Sequence, residues 1–239
     1  MGSKVDRMHK KIGILGGMTP ESTVTYYRHI FRRYHELFGN LDYPETIIYD
    51  VSFQRFSDWM GIEDWESIEE ALLSGLTSLK AAGADFAIIA TNTMHILFDK
   101  LQARSPLPLI SIIDATAEAI KEEGMGRVGL LGTRFTMENP FFMEGLAKHG
   151  IEATVPEKEG RNYIDKVVFY ELSIGLLRPE SRNGYLKIIN SLIENGAEGI
   201  VLGCTEIPLL VTPEHTSVKL FDTAAIHAEK ALQYAIKRG

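Results

Sequence analysis

Only one cysteine, Cys204, occurs in 239 residues. A single thiol excludes an intramolecular disulfide and any cysteine-rich zinc module. With no secretory signal in view, it predicts a reducing, cytoplasmic setting. No stretch approaches the roughly 18 uncharged apolar residues of a membrane span, so no membrane partner is expected. A basic excess is missing too: 25 Lys and Arg against 32 Asp and Glu leave a net charge of −7. Nucleic acid is therefore not the expected partner, because phosphate binding calls for a basic footprint. A small anionic substrate stays open, since a few local donors can hold one carboxylate inside an acidic protein. The seven histidines show no metal-ligand spacing, so no metal is predicted.

What is present is ordinary globular material: 45% apolar residues of the AVILMFWYC set and 24% charged. Such a chain can bury a sizeable core without staples. Met1 to Met8 read as an expression leader outside the fold, which places residues 1–9 before the first domain. Lys11 to Gly17 is a short apolar run ending in glycines, the pattern of a buried parallel strand feeding a tight turn. Pro20 and Glu21 then suit a helix start, with helix predicted through Tyr26 to Phe38. Strands are predicted at Thr46–Val51, Asp85–Ala90 and Leu109–Ile113. Helices are predicted at Trp65–Ala82, from His95 to about Arg104, and at Thr116–Glu123. This alternation is that of an α/β fold with parallel sheets.

The second half echoes the first. Val128-Gly-Leu-Leu-Gly-Thr133 follows the pattern of Ile12-Gly-Ile-Leu-Gly-Gly17, 116 residues earlier. Gly196 to Thr205 matches Gly83 to Asn92 at a spacing of 113, and Asp222-Thr-Ala-Ala matches Asp114-Ala-Thr-Ala at 108. Three matches in one order predict a duplication: two similar open parallel-sheet lobes related by a pseudo-two-fold axis. Open α/β sheets bind ligands beyond the carboxyl ends of their strands. The repeat puts Thr91 and Cys204 at equivalent strand ends, and an interlobe cleft would bring the hydroxyl and the thiol to opposite faces of one substrate carbon. That arrangement can take a proton from one side and return one on the other.

Gly16-Gly-Met-Thr-Pro-Glu-Ser-Thr23, Thr91-Asn-Thr-Met-His95, Leu131-Gly-Thr-Arg-Phe-Thr-Met-Glu138, Gly203-Cys-Thr-Glu-Ile207 and Phe221-Asp-Thr-Ala-Ala-Ile-His-Ala228 resemble the aspartate/glutamate racemase family. The likeness covers nearly the whole chain after residue 10. It implies a cofactor-independent amino-acid racemase, an isomerase acting on small amino acids, with two acid/base residues and a homodimeric assembly. Both acid/base residues are normally cysteines. Thr91 in the first position makes this chain similar to the Thr/Cys branch, which the resemblance associates with acidic amino acids and an L bias. The family's discontinuous lobes imply domains of 10–106 plus 222–239, and of 107–221.

Each candidate also has a plainer reading. A lone cysteine is commonly a small buried hydrophobe, and Thr91 alone reads as a helix N-cap; the strand-end context of Cys204 and its equivalence to Thr91 favour catalysis. Asn92 and Thr93 either satisfy the turn or, as in the family pattern, grip a substrate carboxylate. Met18, Thr19, Thr133 and Thr205 are candidates for the α-carboxylate and ammonium. Arg55 is the first candidate for a side-chain carboxylate, with Arg134 and Arg161 behind it. Glu206 reads either as a support that orients a donor near Cys204 or as a helix-start acid, and His95 as a helix residue or a supporting donor rather than a ligand. The loop Gly13 to Gly17 is neither G-x-G-x-x-G nor a P-loop, so a nucleotide is disfavoured. A helix start after Cys204 is expected to lower its thiol pKa. A single-cysteine decarboxylase of the same fold and a non-catalytic amino-acid-binding protein are the competing readings.

Overall fold

The computed structural model describes residues 9–237; the leader read at Met1 to Met8 lies outside them. The chain forms two compact units. One comprises the chain up to Ala90, Leu97–Ile110, and the chain from His227 onward; the other comprises Thr91–Ile96 and Ser111–Ile226.

The first unit contains β1 (Ile12–Gly16), α1 (Pro20–Phe38), β2 (Thr46–Asp50), α2 (Phe53–Gly61), α3 (Trp65–Ala81), β3 (Phe86–Ile89) and α4 (Phe98–Arg104). Its sheet is parallel, in the order β2-β1-β3. Every residue of β1 is buried, as expected for a central strand covered on both faces. The turn after it depends on glycine. A Cβ at Gly16 would collide with Thr23 and Asp50, and Gly17 adopts φ +87° against the Val51 backbone. Thr19 then caps α1, its hydroxyl accepting the Ser22 amide at 3.4 Å, with Pro20 in the first helical position.

The second unit contains α5 (Ile112–Glu122), β4 (Arg127–Gly132), α6 (Arg134–Glu138), α7 (Phe141–Lys148), β5 (Glu152–Thr154), α8 (Lys158–Tyr170), α9 (Pro179–Glu194), β6 (Gly199–Gly203), α10 (Ile207–Leu210), β7 (Lys219–Asp222) and the start of α11 (Thr223–Ile236). Its sheet is again parallel, in the order β5-β4-β6-β7. Alternate residues of its central strands feed two apolar layers. Leu131, Ile200 and Leu202 join one with Tyr185, Ile189 and Cys204; Val128, Leu130 and Val201 join the other with Ile112, Phe142 and Phe221. Among the described residues, no helix is long and apolar enough to cross a membrane.

The expected duplication is visible in the strand pairing. Ile12 pairs with Phe86 as Val128 pairs with Gly199, so the spacings of 116 and 113 hold residue by residue. The third match does not hold. The strand expected at Leu109–Ile113 is a single parallel bridge from Leu109 to Ala87, and Ile112 already begins α5. Ser111 caps α5 by accepting the Asp114 amide, whereas Asp222 caps α11 by accepting the Ala224 and Ala225 amides. Structurally, Asp222 answers to Ser111 rather than to Asp114. Either side chain can cap a helix, so the equivalence is hidden from letter matching. The helix expected from Thr116 accordingly starts at Ile112, directly after its cap Ser111.

Candidate active site

Cys204 follows the last residue of β6, in the turn that leads into α10. Its side chain is 7% exposed and packs in the same apolar layer as Tyr185 and Leu210. The thiol donates to Glu206 Oε2 at 3.0 Å. Thr205 Oγ1 donates to that same oxygen at 2.8 Å. Burial first, then the charge and hydrogen bond of Glu206, push the thiol well above its ordinary range; the Glu206 and Ile207 amides act in the opposite direction. The expected lowering by the helix start is therefore reversed. α10 has only one turn, and burial together with the adjacent carboxylate outweighs the turn's amides.

Thr91, 7% exposed, follows the first unit's β3 but belongs to the second unit, as does Cys204. Its hydroxyl makes no hydrogen bond among the described residues and caps no helix; the turn that follows is a short 3-10 helix, Thr93–Leu97. The turn is secured by its neighbours. Asn92 Nδ2 donates to Thr223 Oγ1 at 3.1 Å, and Thr223 Oγ1 donates to the Leu202 carbonyl at 2.9 Å. This relay ties the Thr91 turn to the strand that delivers Cys204. Asn92 Oδ1 is buried without a hydrogen-bond partner, an unmet acceptor that costs about 1–3 kcal/mol unless something donates to it.

His95 is the second anchor. It is buried, its Nε2 accepts the Ile112 amide at 3.0 Å, and its Nδ1 meets the Thr91 carbonyl at 2.8 Å. An acceptor at Nε2 requires the proton on Nδ1, which therefore donates to Thr91. One ring thus joins the Thr91 turn to the start of α5.

The other candidates divide between the units. Thr133 caps α6, its hydroxyl accepting the Thr136 amide at 3.4 Å. The Arg134 amide donates to Asp165 while its side chain is exposed. Arg161 is engaged by Glu138 and the Pro156 carbonyl. Thr93 is half-buried, and its hydroxyl bonds to nothing among the described residues. In the first unit, Met18 is buried and Thr19 is the α1 cap. Arg55 lies over the Trp59 ring, 4.8 Å from its centroid, and forms no ion pair among the described residues. It lines a cleft of about 440 Å³ with Asp50, Ser52, Trp59 and Glu70. Sequence reasoning missed two residues here. Thr223 lies inside a repeat and a family-like motif that assign it no role of its own, and Tyr185, buried in the same apolar layer as Cys204, carries no local motif. Among the described residues, no group of three or more His, Cys, Asp or Glu side chains is placed to hold a metal.

Residues 15–231 match the model of the Asp/Glu/hydantoin racemase family. The chain belongs to this family. It is a racemase-type isomerase, and the paired parallel-sheet units are the family's architecture. A candidate Asp/Glu racemase from Yersinia pestis has a crystal structure 41% identical in sequence, covering 95% of this chain and 100% of that one, with a TM-score of 0.90. An aspartate racemase homologue from Pyrococcus horikoshii OT3 is 39% identical, with 94% and 98% coverage and a TM-score of 0.85. The broad specificity amino-acid racemase RacX of Bacillus subtilis (strain 168) is 22% identical over 227 residues, 92% of this chain and 96% of that one.

Proposed function

We propose that this racemase inverts Cα of an acidic amino acid, with Cys204 and Thr91 as its two acid/base residues and without a cofactor. The observation that carries the reading is the hydrogen-bond relay from Asn92 through Thr223 to Leu202. It supports a shared working environment for a threonine hydroxyl that makes no hydrogen bond among the described residues and the sole thiol of the chain. Cys204, once ionised, removes the α-proton from one face, and Thr91 supplies a proton to the other. The carbanion is stabilised by donors at the substrate carboxylate, for which the Thr93 and Thr205 hydroxyls and the amides of the two turns are candidates. The buried Asn92 Oδ1 is suited to accept from the substrate ammonium.

The acidic side chain of the substrate is supported by two observations. Arg55 is a guanidinium without an ion-pair partner among the described residues, and such a group recognises carboxylate well. A relative of 39% identity is an aspartate racemase homologue. The RacX similarity widens the substrates to be tried beyond Asp and Glu. We further propose that the enzyme works as a homodimer in the cytoplasm.

Proton NMR of L-Asp, L-Glu and a panel of other amino acids in D₂O tests the reading. Loss of the α-proton signal accompanied by appearance of the D enantiomer is expected for an acidic amino acid. Cys204→Ala, folded as judged by circular dichroism, is expected to abolish both. Retention of more than a few per cent of exchange in that variant would remove the thiol from the mechanism. Binding without exchange would favour a non-catalytic protein, and release of CO₂ from a malonate would favour a decarboxylase.

A further inference from the structure

We propose that Arg182 is a positioning residue for proton transfer at Cys204: from α9 it holds the far end of α10 and so keeps the Cys204 turn wound. The inference rests on the catalytic assignment of Cys204 above and adds a residue that acts on it through the backbone. Its basis is one hydrogen bond between two helices. Arg182 Nε donates to the Leu210 carbonyl at 2.8 Å. Leu210 is the last residue of α10, and Cys204 lies just ahead of its first, Ile207.

α10 cannot hold itself. It has four residues, whereas isolated helices shorter than about 12–15 residues are marginal in water, because the first turn costs more than it returns. The turn is closed by the Ile207 amide on the Cys204 carbonyl at 3.2 Å, the Leu209 amide on the Glu206 carbonyl at 3.1 Å, and the Val211 amide on the Ile207 carbonyl at 3.0 Å. The first of these bonds is made to the peptide of Cys204 itself, so the winding of α10 and the setting of the thiol are one event. At Val211 the chain leaves the helix for an extended conformation. A helix end of this kind leaves carbonyls without intrahelical partners. A guanidinium there supplies a donor and also a positive charge against the negative end of the helix.

Arg182 is anchored firmly enough to do this. It lies in the first turn of α9, its amide bonded to the Arg178 carbonyl at 3.0 Å, and its neighbour Ser181 is buried with its hydroxyl donating to Glu171. Arg182 itself is half-buried and forms no ion pair among the described residues, so its charge is not committed elsewhere. The apolar layer that Cys204 shares with Tyr185, Ile207 and Leu210 sets where α10 sits. The Arg182 bond keeps the turn closed, and the direction of the sulfur follows from that. Such control matters because a displacement of about 1 Å from the reactive geometry costs about a hundredfold in rate.

The test separates this role from general stability. Arg182→Met keeps most of the apolar stem and removes every donor. Cys204 is the only cysteine, so iodoacetamide labelling followed by mass spectrometry reports this sulfur alone. Labelling of the buried thiol should be about tenfold faster in the variant, well below its thermal midpoint, because the turn opens locally. Amide hydrogen exchange should lose protection at Ile207, Leu209 and Val211 but not at Ile189 and Leu192 of α9. Turnover, read as deuterium uptake at Cα of the amino acid that the unmodified enzyme racemises, should lose at least about tenfold in kcat, with KM changed less than about threefold. Arg182→Lys keeps the charge and a donor, and should bring labelling and turnover back to within about threefold of the unmodified protein. A merely stabilising residue would loosen α9 as well and leave kcat intact in the folded protein. Unchanged labelling, protection lost throughout α9, wild-type turnover, or a lysine variant as impaired as the methionine one would each overturn the proposal. If Arg182→Met does not fold, Arg182→Gln takes its place: its shorter, neutral donor should speed labelling about threefold, and an unmoved rate refutes the proposal. Absence of exchange in the unmodified enzyme would instead overturn the racemase reading, while labelling and amide protection would still judge the hold of Arg182 on α10.

Discussion

Replacing His95 by leucine tests how the Thr91 turn is held. The substitution keeps an apolar body but removes both ring nitrogens. It strands the Thr91 carbonyl, now bonded at 2.8 Å, and the Ile112 amide, now bonded at 3.0 Å. Both bonds are buried, and leaving a buried polar group unsatisfied costs about 1–3 kcal/mol each. The expected destabilisation is therefore about 2–6 kcal/mol, a large share of the 5–15 kcal/mol that typically holds a folded protein. For a chain of this size, each kcal/mol corresponds to about 2–4 °C, so the thermal midpoint should fall by roughly 4–24 °C.

Circular dichroism melts and urea titrations measure the loss, and Cα exchange in D₂O below the midpoint measures its functional consequence. Ser111→Ala separates the two effects. Ser111 caps α5 through the Asp114 amide at 3.1 Å but makes no side-chain bond to the Thr91 turn. It should cost about 0.5–2 kcal/mol and leave exchange intact. His95→Leu should lose exchange even under conditions where it is fully folded, because the turn carrying Thr91 has lost its carbonyl anchor. A His95→Leu protein within about 1 kcal/mol of wild type would refute the hydrogen-bond accounting. Full exchange in a folded variant would show that the anchor does not matter to catalysis.

Two other outcomes are expected. The enantiomer that presents its α-proton to Cys204, the L form if the branch resemblance holds, should take up deuterium from D₂O faster than it inverts. An isolated Thr91 hydroxyl is a slower proton donor than a thiol, so the thiolate can return deuterium before inversion. Equal exchange-to-inversion ratios for both enantiomers would contradict this, and Thr91→Cys should make the two profiles alike. Separately, His227 is buried, its Nδ1 paired with the Tyr26 hydroxyl at 2.9 Å and its Nε2 with the Ile110 carbonyl at 2.8 Å. Desolvation lowers its pKa to about 4. The unfolded chain binds this proton near pH 6.5, so the contribution is fully present above that pH and lost as pH falls toward 4, a total of about 3 kcal/mol. Urea unfolding across that range should show the loss, and His227→Gln should flatten it; the same acid slope in both proteins would exclude His227 as its source.

The parts of the fold that could be read from sequence are those in which residue type and geometry coincide. β1 and β4 are apolar runs closed by glycine, and β3 and β6 follow glycine turns with the same spacing. Their registers match because burial on both faces leaves little latitude in the residues used. The predicted Leu109–Ile113 strand misled because an apolar run of that length serves equally as a strand or as a helix start. Ser111 decided it: once its hydroxyl accepts the Asp114 amide, the backbone is committed to α5 and only Leu109 is left to bridge Ala87. A cap is a position that several side chains fill, which is why Asp222 was aligned with Asp114 when its structural counterpart is Ser111.

The site divides along a similar line. Cys204 and the Thr91 turn stand out as local strings at strand ends, and short-range sequence is sufficient to find them. Their electrostatics are not local in the same way. The expected low thiol pKa followed from the helix start alone, yet burial in the apolar layer, together with the Glu206 carboxylate turned back onto the sulfur, reverses the direction. Thr223 is distant from both Thr91 and Cys204 in sequence and is linked to their turns only by the Asn92 and Leu202 bonds. Motifs can therefore nominate the proton-transfer residues, but which atom holds the proton at rest depends on hydrogen bonds between particular side chains.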